Sequence, residues 1–220
     1  MPLQSTSRYL RCTAAMYRHL TPTDYRRMPW KNGAGRTIEI AVHPIGASLD
    51  EFLWRVSIAD VERDGPFSRF PGIDRTIVLL EGAGMRLRSG ARDIELTTRF
   101  VPHDISGDDE IECVLVAGPS RDFNAMFRRD RARGRVAVVR AGDADFGPAP
   151  FRVAYAAAGS HECTIPGHAP LQLPEGHALL VDATDPRSEG VPVAVRPLRD
   201  GAVALVVSVD GPCAKREGLQ

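Results

Sequence analysis

Residues 65–84 read GPFSRFPGIDRTIVLLEGAG. Gly65-Pro66 and Phe70-Pro71-Gly72 set bends, because proline locks φ and glycine opens conformations closed to other residues. Thr76-Ile77-Val78-Leu79-Leu80 is β-branched and apolar throughout, the pattern of a strand buried on both faces. Glu81-Gly82-Ala83-Gly84 turns the chain, and Met85-Arg86-Leu87-Arg88 alternates as a half-exposed return strand does. Bend, buried strand, tight turn and return strand make one unit of a β-barrel.

Working outward, the same grammar repeats. Ile38 to Val42 alternates, and Phe52 to Ala59 has the clearest period of two, with Phe52, Trp54, Val56 and Ile58 on one face and Leu53, Arg55, Ser57 and Ala59 on the other. Further strands are expected at 94–97, 112–116, 122–127, 136–139, 151–158, 176–181, 191–195 and 203–209, with Thr21 to Asp24 as a turn or helix start. No long amphipathic helix is visible. The chain reads as all-β, with a glycine- and proline-bearing crossing segment at 141–150.

The 220 residues carry 28 basic and 28 acidic side chains, and this balance argues against a module that neutralises phosphates. Only two of the basic residues, Lys31 and Lys215, are lysines. Four widely spaced cysteines form neither a CxxC zinc site nor a dense disulfide framework, so reduced thiols in a cytoplasmic protein are expected. No apolar run has the length of a membrane span. Residues 1–16 read as an extension that the fold does not need, since Met16 also begins a coherent reading.

WKNGAGRT at 30–37, WRVSIA at 54–59, the 65–84 stretch and DFNAM at 122–126, followed by Arg128-Arg129, occur in an order that resembles the HutD/Ves family across roughly residues 17–210. The resemblance implies a bicupin: two jelly-roll-type β-barrels packed together, with 17–140 as the first barrel carrying a small-molecule pocket, 141–212 as a smaller second barrel and 213–220 as a tail. It further implies a protein that binds an intermediate of histidine catabolism, such as urocanate or formylglutamate, and regulates or buffers the pathway. The competing readings are a cupin enzyme, an isomerase or hydrolase of a small organic acid, and a passive interaction scaffold.

A metal-binding cupin is expected to carry a His-x-His pair after the glycine-proline bend. Here Ser68-Arg69-Phe70 stands in its place and no histidine occurs from 65 to 84, so no metal and no cofactor are expected in the first barrel.

The candidate ligand-binding residues are Lys31, Asn32, Arg55, Ser57, Arg75, Asp122, Asn124 and Met126. Lys31 and Asn32 precede Gly33-Ala34-Gly35, whose amides read either as an anion cradle or as a plain tight turn. Arg55 and Ser57 face the barrel interior if Trp54 faces outward; with Trp54 inward, Arg55 is a surface residue. Arg75 reads as a ligand contact or as the partner of Asp74 in a buried ion pair. Asp122, Asn124 and Met126 share one strand face suited to a small polar ligand, the alternative being turn capping by the two polar residues.

The arginines from 128 to 135 suit the wet side of an edge strand rather than nucleic acid. His161, His168 and His177 match no compact metal motif, and His103 is a proton carrier only if a pocket covers it. The expected partner is a small carboxylate, with neither nucleic acid nor membrane; a homodimer is compatible with the sequence.

Overall fold

The computed structural model describes residues 10–12, 15–30, 32–90, 92–183 and 190–210. Among them every regular element is a β-strand. In chain order these are β1 (Leu10–Cys12), β2 (Ala15–Leu20), β3 (Arg26–Pro29), β4 (Gly35–His43), β5 (Trp54–Val61), β6 (Gly65–Pro66), β7 (Ile73–Glu81), β8 (Met85–Ser89), β9 (Arg92–Leu96) and β10 (Pro102–Ser106). There follow β11 (Glu112–Leu115), β12 (Ser120–Arg128), β13 (Arg133–Val139), β14 (Ala144–Phe146), β15 (Phe151–Ala158), β16 (His161–Thr164), β17 (Leu171–Leu173), β18 (Ala178–Asp182), β19 (Val193–Pro197) and β20 (Val203–Asp210).

They form four sheets. The first half of the chain builds a six-stranded sheet, β10-β7-β12-β5-β4-β3, and a four-stranded one, β6-β11-β8-β9. The second half builds β1-β2-β18-β15-β20-β13 and β14-β19-β16-β17. The two six-stranded sheets lie at the centre, face to face. Their shared core sets Trp54, Val56, Ile58, Val78, Leu80, Phe123 and Phe127 against Phe151, Val153, Tyr155, Leu205 and Val207. Each four-stranded sheet covers the other face of its own large sheet: Ala59, Val61 and Ile77 meet Met85, Leu87, Leu96 and Cys113 on one side, while Ala154, Leu179 and Val206 meet Cys163, Leu173 and Val195 on the other.

This layering explains the burial pattern. β5 and the centre of β7 are covered on both faces, so every residue of β5 is buried. Trp54 and Arg55 therefore point to opposite faces and both are buried, Trp54 against the second half's large sheet and Arg55 on the other side. Phe52 does not share the stripe that its spacing predicts. It precedes β5 and packs with Ile73 and Met126 instead.

The turn at Glu81–Gly84 does not fold β8 back onto β7. It carries the chain from the six-stranded to the four-stranded sheet, where β8 pairs with β11 and β9. Gly84, at φ 95°, backs so closely onto this corner that a Cβ would lie 2.0 Å from the carbonyl oxygen of Leu96. Only glycine fits there.

β2 hydrogen-bonds to β18, and β13 to β20, so residues 15–20 and 133–139 are strands of the second half's sheet. β13 is its edge, and Arg133 and Arg135 are exposed along it. Thr21–Asp24 is a turn, with the Thr21 N–H and hydroxyl both donating to the Asp24 carboxylate at 2.8 Å. The expected tail at 213–220 and residues 1–9 of the expected extension lie outside the described residues. No helix among the described residues is long and apolar enough to cross a membrane.

Candidate functional site

The inner face of the first half's large sheet is not apolar along its whole length. Cross-strand pairing aligns three rows on it: Arg75, Met126 and Arg55; then Ile77, Asn124, Ser57 and Glu39; then Leu79, Asp122, Ala59 and Thr37. Alternation along each strand keeps these positions on one face. Arg75, Met126 and Arg55 of the first row, Asn124 and Ser57 of the second, and Asp122, Ala59 and Thr37 of the third floor a cavity of about 470 Å³. Its walls are Met28, Pro29 and Trp30 from the β3–β4 hairpin, Leu49, and Pro66, Phe67 and Phe70 from the proline-glycine bends. A polar floor under apolar and aromatic walls is the usual make-up of a small-molecule site.

Of the residues singled out in the sequence, Asn32, Arg55, Ser57, Arg75, Asp122, Asn124 and Met126 all line this cavity. Lys31 lies outside the described residues. The amides beside it make no anion cradle: Gly33 N–H donates to the Trp30 carbonyl at 3.1 Å and Ala34 N–H to Asn32 Oδ1 at 3.0 Å, so the glycine-rich segment is a self-satisfied hairpin turn. Gly35 serves close approach instead, since a Cβ there would stand 2.1 Å from the Asp60 carbonyl oxygen.

Arg55 Nε donates to Glu39 Oε2 at 2.7 Å, and both side chains are buried. Among the described residues the terminal amino groups of Arg55 have no hydrogen-bond partner. Arg75 does not pair with Asp74. Strand alternation sends Asp74 outward to Arg129, at 2.7 Å, and turns Arg75 inward. There Arg75 Nη2 donates to Asn124 Oδ1 at 2.8 Å, and its guanidinium lies 5.7 Å and 5.5 Å from the ring centres of Phe67 and Phe70. Burial lowers Arg75 to about 10, against the attraction of Asp122, and leaves it charged at neutral pH. Asn124 Nδ2 donates in turn to Asp122 Oδ1, so the two polar residues sit in mid-strand and cap no turn. Burial raises Asp122 to about 7, with Arg75 and the Asn124 hydrogen bond opposing the rise.

The sequence pattern does not single out Trp30, Phe67 and Phe70. A loop aromatic has no periodicity to announce which way it faces, and the nearest signal is their place beside the glycine-proline bends. The histidines do not converge. His19 Nε2 and His177 Nδ1 lie 2.9 Å apart, His168 packs edge-on to Tyr17, and His161 is wholly buried. His103 is half-buried on β10 and does not line the cavity. Among the described residues no group of three or more His, Cys, Asp or Glu side chains is placed to hold a metal ion.

The HutD family model matches residues 22–196. An uncharacterised 21.2 kDa protein in the hutC 3' region of Pseudomonas putida is 44% identical over 117 residues, or 53% of this chain. Protein Ves of Citrobacter koseri is 40% identical over 120 residues, again 53% of this chain. The chain spans 61% and 62% of those two proteins' own lengths. A solved structure of HutD from Pseudomonas fluorescens SBW25 superposes with a TM-score of 0.73 at 32% identity, covering 89% of this chain and 98% of that one. A cupin 2 conserved barrel domain protein from Leptotrichia buccalis shares the fold, with a TM-score of 0.52 at 10% identity over 79% of this chain and 88% of that one.

Proposed function

The chain belongs to the HutD family and has the cupin fold, and on that footing we propose that it is a metal-free binding protein for small carboxylates. By taking up an intermediate such as urocanate or formylglutamate it regulates or buffers histidine catabolism. The observation that carries this reading is the pair of buried arginines, Arg55 and Arg75, set either side of Met126 in the floor of one aromatic-walled cavity. A guanidinium held in a low-dielectric site grips a carboxylate through charge-assisted hydrogen bonds. The terminal amino groups of Arg55 supply them, while Trp30, Phe67 and Phe70 favour a flat or apolar ligand body. The setting of one relative, in the hutC 3' region, supports the link with histidine utilisation.

Calorimetry and thermal shift with urocanate and formylglutamate test the proposal. Ligand at a hundredfold excess over Kd stabilises the protein by about 2.7 kcal/mol. Absence of heat and of any shift with both acids refutes it.

Asp122 favours a second reading. A carboxyl raised to about 7 inside a cavity has the proton affinity that general acid–base chemistry needs. Turnover of the same acids, abolished by Asp122→Asn, would make the protein an isomerase or hydrolase.

A further inference from the structure

Asp122 is the one fully buried acid of the cavity floor, and half of its carboxylate is unaccounted for. Oδ1 takes the hydrogen bond from Asn124, whereas Oδ2 has no partner among the described residues. The cation that should neutralise it, Arg75, spends Nη2 on Asn124 and leaves Nε without a partner. Asn124 thus stands between the guanidinium and the carboxylate, orienting both without joining them. Among the described residues the other charged or titratable groups that bear on this centre are Asp60 and Arg55 from β5, the latter already paired with Glu39 of β4, and Cys113 from β11. Burial pushes the Cys113 thiol up to about 12, so it is neutral. Among the described residues Arg75 is therefore the cation on which the Asp122 charge depends.

We propose that Asp122 takes up a proton when a carboxylate enters the cavity, so that the site binds its ligand as an anion together with H⁺. The inference rests on the reading of the cavity as a carboxylate site. A ligand anion drawn to Arg55 and Arg75 shares the positive potential that Asp122 relies on, and it brings a like charge into the same dry floor. Two carboxylates in one such site do not both stay ionised. The ligand keeps its charge because the arginine forks face it. Asp122, with a bare oxygen, accepts the proton from solution, and its new O–H donates to the ligand or to a water beside it. Burial has already brought Asp122 close to neutrality, and the second anion in the same dry floor supplies the rest of the rise.

The test is calorimetry of formylglutamate, which has no group titrating between about pH 6.5 and pH 8.5, against the full chain in two buffers of different ionisation enthalpy. The expected result is uptake of about half a proton per ligand at pH 7, rising toward one at pH 8, with Kd weakening by up to about tenfold per pH unit in that range. Asp122→Asn should bind with no net proton exchange and a Kd flat across the same range. A ¹³C NMR titration of the Asp122 carboxyl in the unsubstituted protein gives a readout independent of that variant; its midpoint should move upward when ligand is added. Binding without proton uptake, or a ligand-free midpoint in the ordinary carboxylate range, overturns the inference and leaves the carboxylate site standing. No binding of any small acid brings down the site and the inference with it.

Discussion

Substituting Arg55 should separate what holds the cavity floor together from what holds the ligand. Arg55 and Glu39 are paired at 2.7 Å with side chains only 5% and 9% exposed, between the inner apolar layer and the cavity. Arg55→Met leaves the Glu39 carboxylate buried with no cation, and breaking such a pair from one side costs about 3–5 kcal/mol. For a chain of this size that corresponds to roughly 6–20 °C in Tm. Adding Glu39→Leu removes the stranded charge, and the doubly apolar pair should recover most of the loss, since a buried ion pair is often worth no more than well-packed hydrophobes. Binding should not recover. The double variant lacks the Arg55 guanidinium, a charged hydrogen-bond partner worth about 1.5–3 kcal/mol, so carboxylate affinity should stay roughly 10- to 150-fold down. Urea or thermal melts of the four proteins in the cycle give the first quantity and calorimetry gives the second. A double variant as unstable as Arg55→Met would show that Glu39 does not act through the ion pair. A double variant with undiminished affinity would remove Arg55 from the binding site.

Asp60 accepts from Arg36 and Arg121 at 2.6 Å each; burial pushes its carboxyl up, but the two guanidiniums outweigh burial and hold it below the ordinary value. A lowered folded-state pKa means stability present above the unfolded pKa and lost as pH falls through the folded one. Asp60→Asn should therefore be less stable than the unsubstituted protein at pH 7, and the gap should close below about pH 4 in acid-titrated melts. Gly35→Ala forces a methyl group against the Asp60 carbonyl and should cost about 1–3 kcal/mol, with loss of the Trp30 wall visible as a change in Trp fluorescence; an unchanged melt would show that the hairpin yields freely. Arg152 is buried and donates to the carbonyls of Phe146, Gly147 and Val191, so Arg152→Met should strip donors from three carbonyls and destabilise by roughly 3 kcal/mol or more. Hydrogen exchange around residues 144–150 should rise in that variant before the rest of the second half opens.

Residues 54–59, 76–80 and 122–127 declare their strands because alternation and β-branching are local properties, written into neighbouring side chains and legible without a fold. The same alternation puts Arg55 with Ser57, and Asp122 with Asn124 and Met126, each on one face, which is why most of the cavity floor can be named from the chain. Local pattern cannot say what lies above a face. Trp54 and Arg55 differ by one position, and periodicity alone allows either to be the inward residue. Packing of the second half's large sheet onto β5 settles it, burying Trp54 against Phe151 and leaving Arg55 to the cavity.

Register decides the rest. Arg75 finds its partner Asn124 on β12, and β8 finds β11, across long stretches of chain, and hydrogen-bond pairing between such strands is a global outcome of the fold. Hence Asp74 and Arg75, adjacent in the chain, part to opposite sides, and the Glu81–Gly84 segment, which reads locally as a hairpin turn, becomes a corner between sheets. Sequence determined which residues are polar, which are apolar and how often they alternate. Tertiary structure alone determined which polar groups meet in a dry cavity, because that depends on what the chain stacks over them.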